Sequence, residues 1–269
     1  MTDSQVRVAG QELLLEIVRC PVVEWALTDD TRGKDCREVV RWQRKPFEDR
    51  FTPEPWSGHL ASAAILFLSS NPSSGEPEEV LPLDERIDLG SDKQLVAGYE
   101  QAFEPGPWWG IADGIHLRAP NGRIGKAVRY WSWARARARE VLGRTPIPGT
   151  DYALTEAVHC GSKREVGVRS ALKTCVPRYL NRVLSVSAAR LLVCVGDVAR
   201  TALEQRYPII SAGSPLAPVQ IEKRPRIVVS VPHPGRYGTP KRLVPYLGEH
   251  GEDKLVEIRR FVAAAVQSA

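Results

Sequence analysis

The sequence predicts an α/β fold in which a central, mostly parallel four-stranded sheet lies between two layers of helices. Short apolar segments alternate with amphipathic segments of helical period, which is the pattern of βαβ units. Four apolar segments stop abruptly in glycine, proline or small polar residues, as buried strands do where they enter loops. The chain has 269 residues, 43% of them hydrophobic, which is enough for one sizeable core. We therefore expect a three-layer αβα domain.

This domain is expected over residues 61–269, after a helical extension over residues 1–60 that packs on it. Within the extension, apolar residues recur at helical spacing over residues 11–18 and again over residues 35–44. The first of these helices ends at Cys20 and Pro21, because proline disfavours helical geometry in the residue before it. A segment rich in proline and aromatic residues then leads to the first strand.

Polar or turn-forming residues lie at or just after the ends of the four predicted strands. The first strand begins at residue 65, and the other three cover residues 151–158, 190–195 and 226–231. Asn71 follows the first strand, Glu156 lies near the end of the second, Gly196 and Asp197 follow the third, and His233 follows the fourth. The carboxyl ends of parallel strands meet at one edge of a sheet, where α/β proteins bind their ligands. The sequence therefore predicts a functional site at this edge.

Composition and missing motifs restrict the class of function. The net charge of +5 and the pI of about 9.0 suit a polyanionic partner. The chain lacks the glycine-rich fingerprints of dinucleotide and P-loop nucleotide binding, and it lacks the Gly-x-Ser-x-Gly elbow of serine hydrolases. Its start is polar and no apolar run is long enough to cross a membrane. We expect a cytoplasmic monomer that is not bound to a membrane.

Four segments near the strand ends resemble, in the same order, motifs of the uracil-DNA glycosylase superfamily. They are Leu-Ser-Ser-Asn-Pro-Ser at 68–73, Thr-Glu-Ala-Val-His-Cys at 155–160, Leu-Leu-Val-Cys-Val-Gly-Asp-Val-Ala at 191–199 and Val-Pro-His-Pro-Gly at 231–235. The last has glycine where that superfamily usually has serine. The resemblance covers about residues 65–237. It implies a monofunctional DNA glycosylase, which flips out a base and hydrolyses its N-glycosidic bond to leave an abasic site, in DNA repair or in antiviral defence.

The resemblance also implies roles for individual residues. Asn71 would orient the attacking water, and His233 would donate a hydrogen bond to the base oxygen on which charge develops. Four residues would surround the flipped base: Glu156, Ser70, Ser73 and His159. Four more would contact DNA, the last two of them also as a wedge in the space left by the base: Lys163, Arg164, Arg236 and Tyr237.

Glu156 departs from the uracil enzymes, which usually have asparagine at this position. An ionised carboxylate only accepts hydrogen bonds, so it disfavours the O4 of uracil and favours the amino group of a cytosine-type base. Small residues such as Ser73 would leave room for a 5-substituent, as in the modified cytosines of phage DNA. Recognition by a neighbouring residue, or protonation of Glu156, remains the alternative.

The cysteines suggest a cofactor. Cys160 and Cys175 are spaced like two ligands in the iron–sulfur branch of this superfamily, and Cys20 and Cys36 would supply the other two. That branch usually places its first two ligands closer together. The resemblance thus implies a [4Fe–4S] cluster, with free thiols or a zinc site as alternatives. Cys194 lies within a predicted strand and is assigned to the core.

Two other classes of function remain after the resemblance. One is a catalytically silent DNA-binding module of the same fold. The other is a metallohydrolase that uses His159, Cys160 and Cys175, which is disfavoured because these residues lack compact zinc spacing.

Overall fold

The structure is a computed structural model that describes residues 3–28, 30–41, 53–72, 91–208, 210, 216–235 and 242–266. The described strands are β1 (Trp56–Ser57), β2 (Ile65–Ser69), β3 (Gly110–Ala112), β4 (His116–Arg118), β5 (Ile124–Ala127), β6 (Tyr152–Glu156), β7 (Leu191–Val195), β8 (Val219–Ile221) and β9 (Arg224–Val231). The described α-helices are α1 (Asp3–Val18), α2 (Pro21–Leu27), α3 (Arg37–Arg41), α4 (Asp92–Glu100), α5 (Arg129–Leu142), α6 (Val168–Cys175), α7 (Asn181–Val186), α8 (Asp197–Arg206) and α9 (Gly251–Val266). Shorter helical turns include Thr31–Cys36, Lys163–Glu165 and the π-helical turn Val176–Leu180.

The predicted α/β class is confirmed, but the main sheet has six strands and is mixed. Its order is β1-β6-β2-β7-β9-β8. The neighbours β6, β2, β7 and β9 pair in parallel, whereas β1 and β8 pair antiparallel at the two edges. The edge strands are two and three residues long, which is too short to produce a readable apolar period. The expected number of four strands was therefore too low.

Side chains alternate between the two faces of the sheet, and each face has its own hydrophobic core. Leu66 and Leu68 of β2 belong to a cluster that includes residues of α1, α2, α3, α6, α7 and α8. Ile65 and Phe67 belong to a second cluster with residues of α5 and α9. All five residues of β2 are buried, which explains its continuous apolar sequence. Helices thus cover both faces of the sheet.

The N-terminal segment is part of this architecture. Helices α1, α2 and α3 contribute to the first cluster, and Trp56 of β1 pairs with Thr155 of β6. Residues assigned to the N-terminal extension therefore include one strand of the main sheet. A second, antiparallel sheet of β3, β4 and β5 was not predicted. Among the described helices, none is both long enough and apolar enough to cross a membrane.

The parallel register brings the polar strand ends to one edge. Ser69 is paired with Glu156, and Val195 is paired with Val231. The two residues that follow Ser69 lead to Asn71, and the two that follow Val231 lead to His233. Because β7 lies between β2 and β9, these two strand ends are two strand spacings apart, about 10 Å.

Candidate active site

Asn71 is held by the loop that follows β6. Its side-chain Nδ2 donates to the carbonyl oxygen of Pro72 at 2.9 Å, to that of Cys160 at 3.3 Å and to the hydroxyl of Ser162 at 3.1 Å. The Oδ1 atom accepts a bond from the hydroxyl of Ser70 at 3.4 Å. The amide protons are thus used within the protein, and the amide orientation leaves Oδ1 as the acceptor with remaining capacity.

His233 has a defined tautomer in its neutral form. The backbone N–H of Gly235 donates to His233 Nδ1 at 3.1 Å, so the proton of the neutral ring lies on Nε2. Burial lowers the pKa of His233, Glu165 opposes this effect, and Arg129 adds to it. A neutral imidazole with an Nε2–H donor is therefore the form present at neutral pH.

Gly196 ends β7 between the strands that lead to Asn71 and His233. Its φ of 89° lies in a region that side chains with a Cβ rarely adopt, so glycine suits this sharp entry into α8. Gly196 occupies the N-cap position of α8, and Asp197 is the first helical residue. The side chain of Asp197 is 73% exposed, so it lies at the rim of the site.

Tyr130 connects the two sides of this edge. Its ring is stacked on that of His233 with the ring centroids 6.3 Å apart and the planes at 6°. Its hydroxyl is buried and lies near Ser69 and Glu156. Burial raises the pKa of Tyr130, and the carboxyl group of Glu156 raises it further.

Glu156 has a second carboxyl group beside it. Burial raises the pKa of Glu156 well above its ordinary value, and the neighbouring Glu54 adds to the rise. The hydroxyl of Ser69 donates to Glu156 Oε1 at 3.4 Å. Glu54 is an exposed residue, and desolvation of its carboxyl group raises its pKa to about 7. The site thus favours a protonated Glu156, the alternative left open by the sequence.

His159 does not face the strand-end edge as an open base contact. Only 2% of the His159 surface is exposed to solvent. Its Nδ1 is hydrogen-bonded to the carbonyl oxygen of Glu54 at 2.8 Å, and its ring packs edge-on against Tyr179. Burial lowers its pKa to about 4, so the ring is neutral. In the structure His159 thus holds the Glu54 backbone beside β6, and its contact with a base stays a prediction.

The predicted DNA-binding residues lie at the rim where the structure describes them. Lys163 is half-buried and Arg164 is exposed, in the turn that follows Ser162. Arg164 and Glu165 both have positive φ, 54° and 60°, an uncommon conformation that is often found at functional sites. Three other predicted site residues lie outside the described residues: Ser73, Arg236 and Tyr237.

Four cysteines from distant parts of the sequence lie together beneath the first helices. The thiols of Cys36 and Cys175 are hydrogen-bonded, which lowers the pKa of Cys36 and raises that of Cys175. Burial raises the pKa of Cys160, and the nearby thiols of Cys20 and Cys36 raise it further. Burial also raises the pKa of Cys20, while a hydrogen bond with Tyr179 opposes the rise. These are the four residues predicted as ligands, and no disulfide joins them.

Within the described ranges, no group of three or more His, Cys, Asp or Glu side chains is placed so that it could hold a metal ion. A [4Fe–4S] cluster differs from a single ion because each thiolate binds its own iron atom. The four thiols therefore need to surround a cavity rather than converge on one point. Cys194, as predicted, is a core residue of β7.

Sequence reasoning missed Tyr130 and Glu54. Tyr130 opens α5 and follows β5, so no strand-end signal marks it. Glu54 precedes β1, whose antiparallel pairing with β6 brings it beside Glu156. The hydroxyl of Ser162, which holds Asn71, was also missed because its role depends on the path of a loop.

Comparison with known proteins adds no family assignment. No protein-family model matches the chain, and no curated protein sequence matches it.

Proposed function

We propose that this protein is a monofunctional DNA glycosylase that acts on a pyrimidine base. The observation that supports the proposal most is the arrangement of Asn71, Glu156 and His233 at one edge of the sheet, where each has a partner that sets its chemical role. Asn71 presents an acceptor, His233 has a donor at Nε2, and Glu156 has a raised pKa. A donor, an acceptor and a base-reading group are what hydrolysis of an N-glycosidic bond requires.

Bond cleavage produces an electron-poor sugar and an anionic base. The bond between the sugar carbon and the base nitrogen breaks with both electrons going to the base, and a water oxygen then bonds to the same carbon. Asn71 Oδ1 accepts a hydrogen bond from that water and orients it. The cation is so electrophilic that orientation suffices without a strong base. The proton lost by the water passes to solvent.

His233 stabilises the leaving base. The Nε2–H of its neutral ring would donate to the base oxygen on which negative charge develops. The bond from Gly235 to Nδ1 fixes the tautomer, and the stacked ring of Tyr130 limits rotation of the imidazole. A neutral donor of fixed orientation is preorganised for the transition state rather than for the uncharged substrate.

Glu156 would read the edge of the flipped base. A protonated carboxyl group has one donor and one acceptor, and so pairs with the O4 and N3–H of uracil or with the N3 and amino group of cytosine. An ionised carboxylate accepts only, and is restricted to the amino group. Because its pKa is raised, the substrate class widens from cytosine-type bases to pyrimidines including uracil and 5-modified cytosine.

We further propose that Cys20, Cys36, Cys160 and Cys175 hold a [4Fe–4S] cluster. All four are ordinary cluster ligands, they are half-buried or buried, and they already affect one another's pKa values. Bound there, the cluster would supply a structural cross-link. The two N-terminal thiols would be tied to the loop after β6 and to the end of α6, which lie in the strand-and-helix core.

The test uses oligonucleotides that differ in one base, carrying uracil, cytosine or a 5-modified cytosine. Each is incubated with protein and then treated with alkali, which cleaves the strand at abasic sites. We expect strand breaks only after alkali, and no protein–DNA adduct after borohydride. Asn71→Ala is the control for a contaminating enzyme. Tight DNA binding without abasic sites would instead assign the protein as a catalytically silent DNA-binding module.

The proposed setting is a cytoplasmic monomer that acts in DNA repair or in defence against phages with modified DNA. Growth of phages with and without cytosine modification on cells that express the protein or Asn71→Ala would separate these roles.

A further inference from the structure

The β4–β5 hairpin, residues 116–127, places its second strand at the protein surface. All four residues of β5 are exposed, and β5 is the edge strand of its sheet. The turn at the tip is well formed, since Ala119 N–H bonds to the carbonyl oxygen of Arg123 at 2.9 Å and Arg123 N–H bonds to Asn121 Oδ1 at 3.0 Å. Nothing lies within 4 Å of a Cβ placed on Gly122. The hairpin therefore has an exposed second strand and an ordered turn with open space at its tip.

The hairpin and the first eleven residues of α5 contain basic residues but no acidic ones. Residues 114–139 contain seven lysine and arginine residues and no aspartate or glutamate. Arg123, Lys126 and Arg129 are exposed, and they lie along the hairpin and its exit into α5. Prevention of edge-to-edge aggregation would by itself explain a lysine on an edge strand. It does not explain why 26 consecutive residues contain no acidic residue.

An exposed apolar side chain lies within this basic surface. Ile124 begins β5 and is 52% exposed. Proteins that bind the minor groove combine basic contacts to phosphates with an apolar wedge against the bases. Neither the main sheet nor the three-stranded sheet needs Ile124 for its core, because it belongs to neither hydrophobic cluster.

The hairpin is continuous with the candidate active site. Arg129 follows β5 by two residues, and its charge contributes to lowering the pKa of His233. Tyr130, the next residue, is stacked on His233. A DNA strand whose flipped base lies against His233 would thus have its neighbouring phosphates on the hairpin side.

We propose that the β4–β5 hairpin is a DNA-binding element, in which Arg123 and Lys126 contact backbone phosphates beside the target nucleotide and Ile124 packs into the groove. This inference rests on the proposed function for the identity of the nucleic acid. The hairpin differs from the DNA contacts predicted from sequence, which lie after β6 and β9.

The test measures binding without chemistry. The affinity of the full-length protein for a labelled duplex is measured by fluorescence anisotropy over a range of salt concentrations. Arg123→Gln/Lys126→Gln should lower the affinity on the order of tenfold at about 0.1 M salt and reduce the salt slope by roughly one to two. The matched control is Lys34→Gln/Lys223→Gln, which removes the same charge from two exposed residues in other elements. It should change affinity by less than about twofold.

Ile124→Ala should weaken binding to duplex DNA without changing the salt slope, because no phosphate contact is lost. Equal losses in both charge variants would overturn the proposal, since net charge alone would explain them. Unchanged affinity in the hairpin variant, with loss of binding to an acidic peptide, would assign the hairpin to a protein partner instead. Circular dichroism spectra of all variants verify folding. The outcome is independent of excision, because a protein that binds but forms no abasic sites still reports on the hairpin.

Discussion

The strand-end site and the four-cysteine group are both assembled from distant parts of the chain, but they are held in different ways. At the strand ends, Asn71 and His233 are oriented by hydrogen bonds from the protein's own backbone and side chains. In the cysteine group, Cys160 and Cys175 are buried thiols whose pKa values are raised by burial and by neighbouring thiols. The first arrangement is oriented by contacts within the protein, whereas the charge state of the second depends on what the thiols bind.

Substitutions in the two regions should therefore have different effects on reaction rate and on stability. A substitution at the strand ends removes a chemical group from an intact scaffold, so it should lower the reaction rate and leave stability almost unchanged. A substitution among the cysteines should lower stability and cofactor content, and should affect the reaction only through loss of folded protein.

The largest effect is expected from the cysteines. Cys36→Ser or Cys175→Ser should abolish binding of roughly four iron atoms per chain and lower the melting temperature by about 10 °C or more, because the cluster's binding free energy contributes to folding. Iron analysis and visible absorbance of anaerobically purified protein measure the first effect, and thermal unfolding measures the second. Cys194→Ala is the matched control, since it lies in β7 outside the group. Wild-type protein without iron would leave the cysteines as thiols.

The next effect concerns the reaction rate. Asn71→Ala and His233→Ala should each lower the single-turnover rate roughly 10²- to 10³-fold, because each removes one oriented group from the transition state. DNA affinity and melting temperature should stay close to those of wild type. His59→Ala, which removes a half-exposed histidine bonded to Glu104, controls for general loss of an imidazole. If the rates of both strand-end variants equal that of wild type, these residues do not take part in the reaction.

A smaller effect is expected on base preference. The raised pKa of Glu156 keeps the carboxyl group protonated at lower pH, where it can pair with uracil, and this pairing is lost as pH rises through the folded-state pKa. Relative to a cytosine-type base, excision of uracil should therefore fall at alkaline pH, by about 1–3 kcal/mol of discrimination. Glu156→Gln keeps one donor and one acceptor at every pH, so the ratio of the two rates should become independent of pH. A wild-type ratio that is flat across this range would contradict the assignment.

The smallest effect is expected from Glu54. Its folded-state pKa of about 7 is above the usual value of a glutamate, so the folded protein binds its proton more tightly than the unfolded chain does. Stability should therefore fall as pH rises from about 4.5 to about 7 and then level off for this group. Glu54→Gln should reduce that fall in melting temperature.

The residues at the strand ends could be predicted from the amino-acid sequence alone. A short apolar run that stops in a turn is a local pattern, and it correctly located Asn71, Glu156 and His233 after β2, at the end of β6 and after β9. It also determined the α/β class, because buried strands and amphipathic helices each have a period that can be read over a few residues. The assignment of these residues to catalysis stays a prediction.

The neighbours that change the pKa values and hydrogen bonding of these residues could be seen only in the tertiary structure. Strand order brings β1 beside β6, and with it Glu54 beside Glu156, while a loop before α5 brings Tyr130 onto His233. The buried position of His159 and the hydrogen bond between Cys36 and Cys175 were decided in the same way. Such contacts depend on how helices and strands pack over long separations in sequence, and a pattern of local period carries no record of that packing.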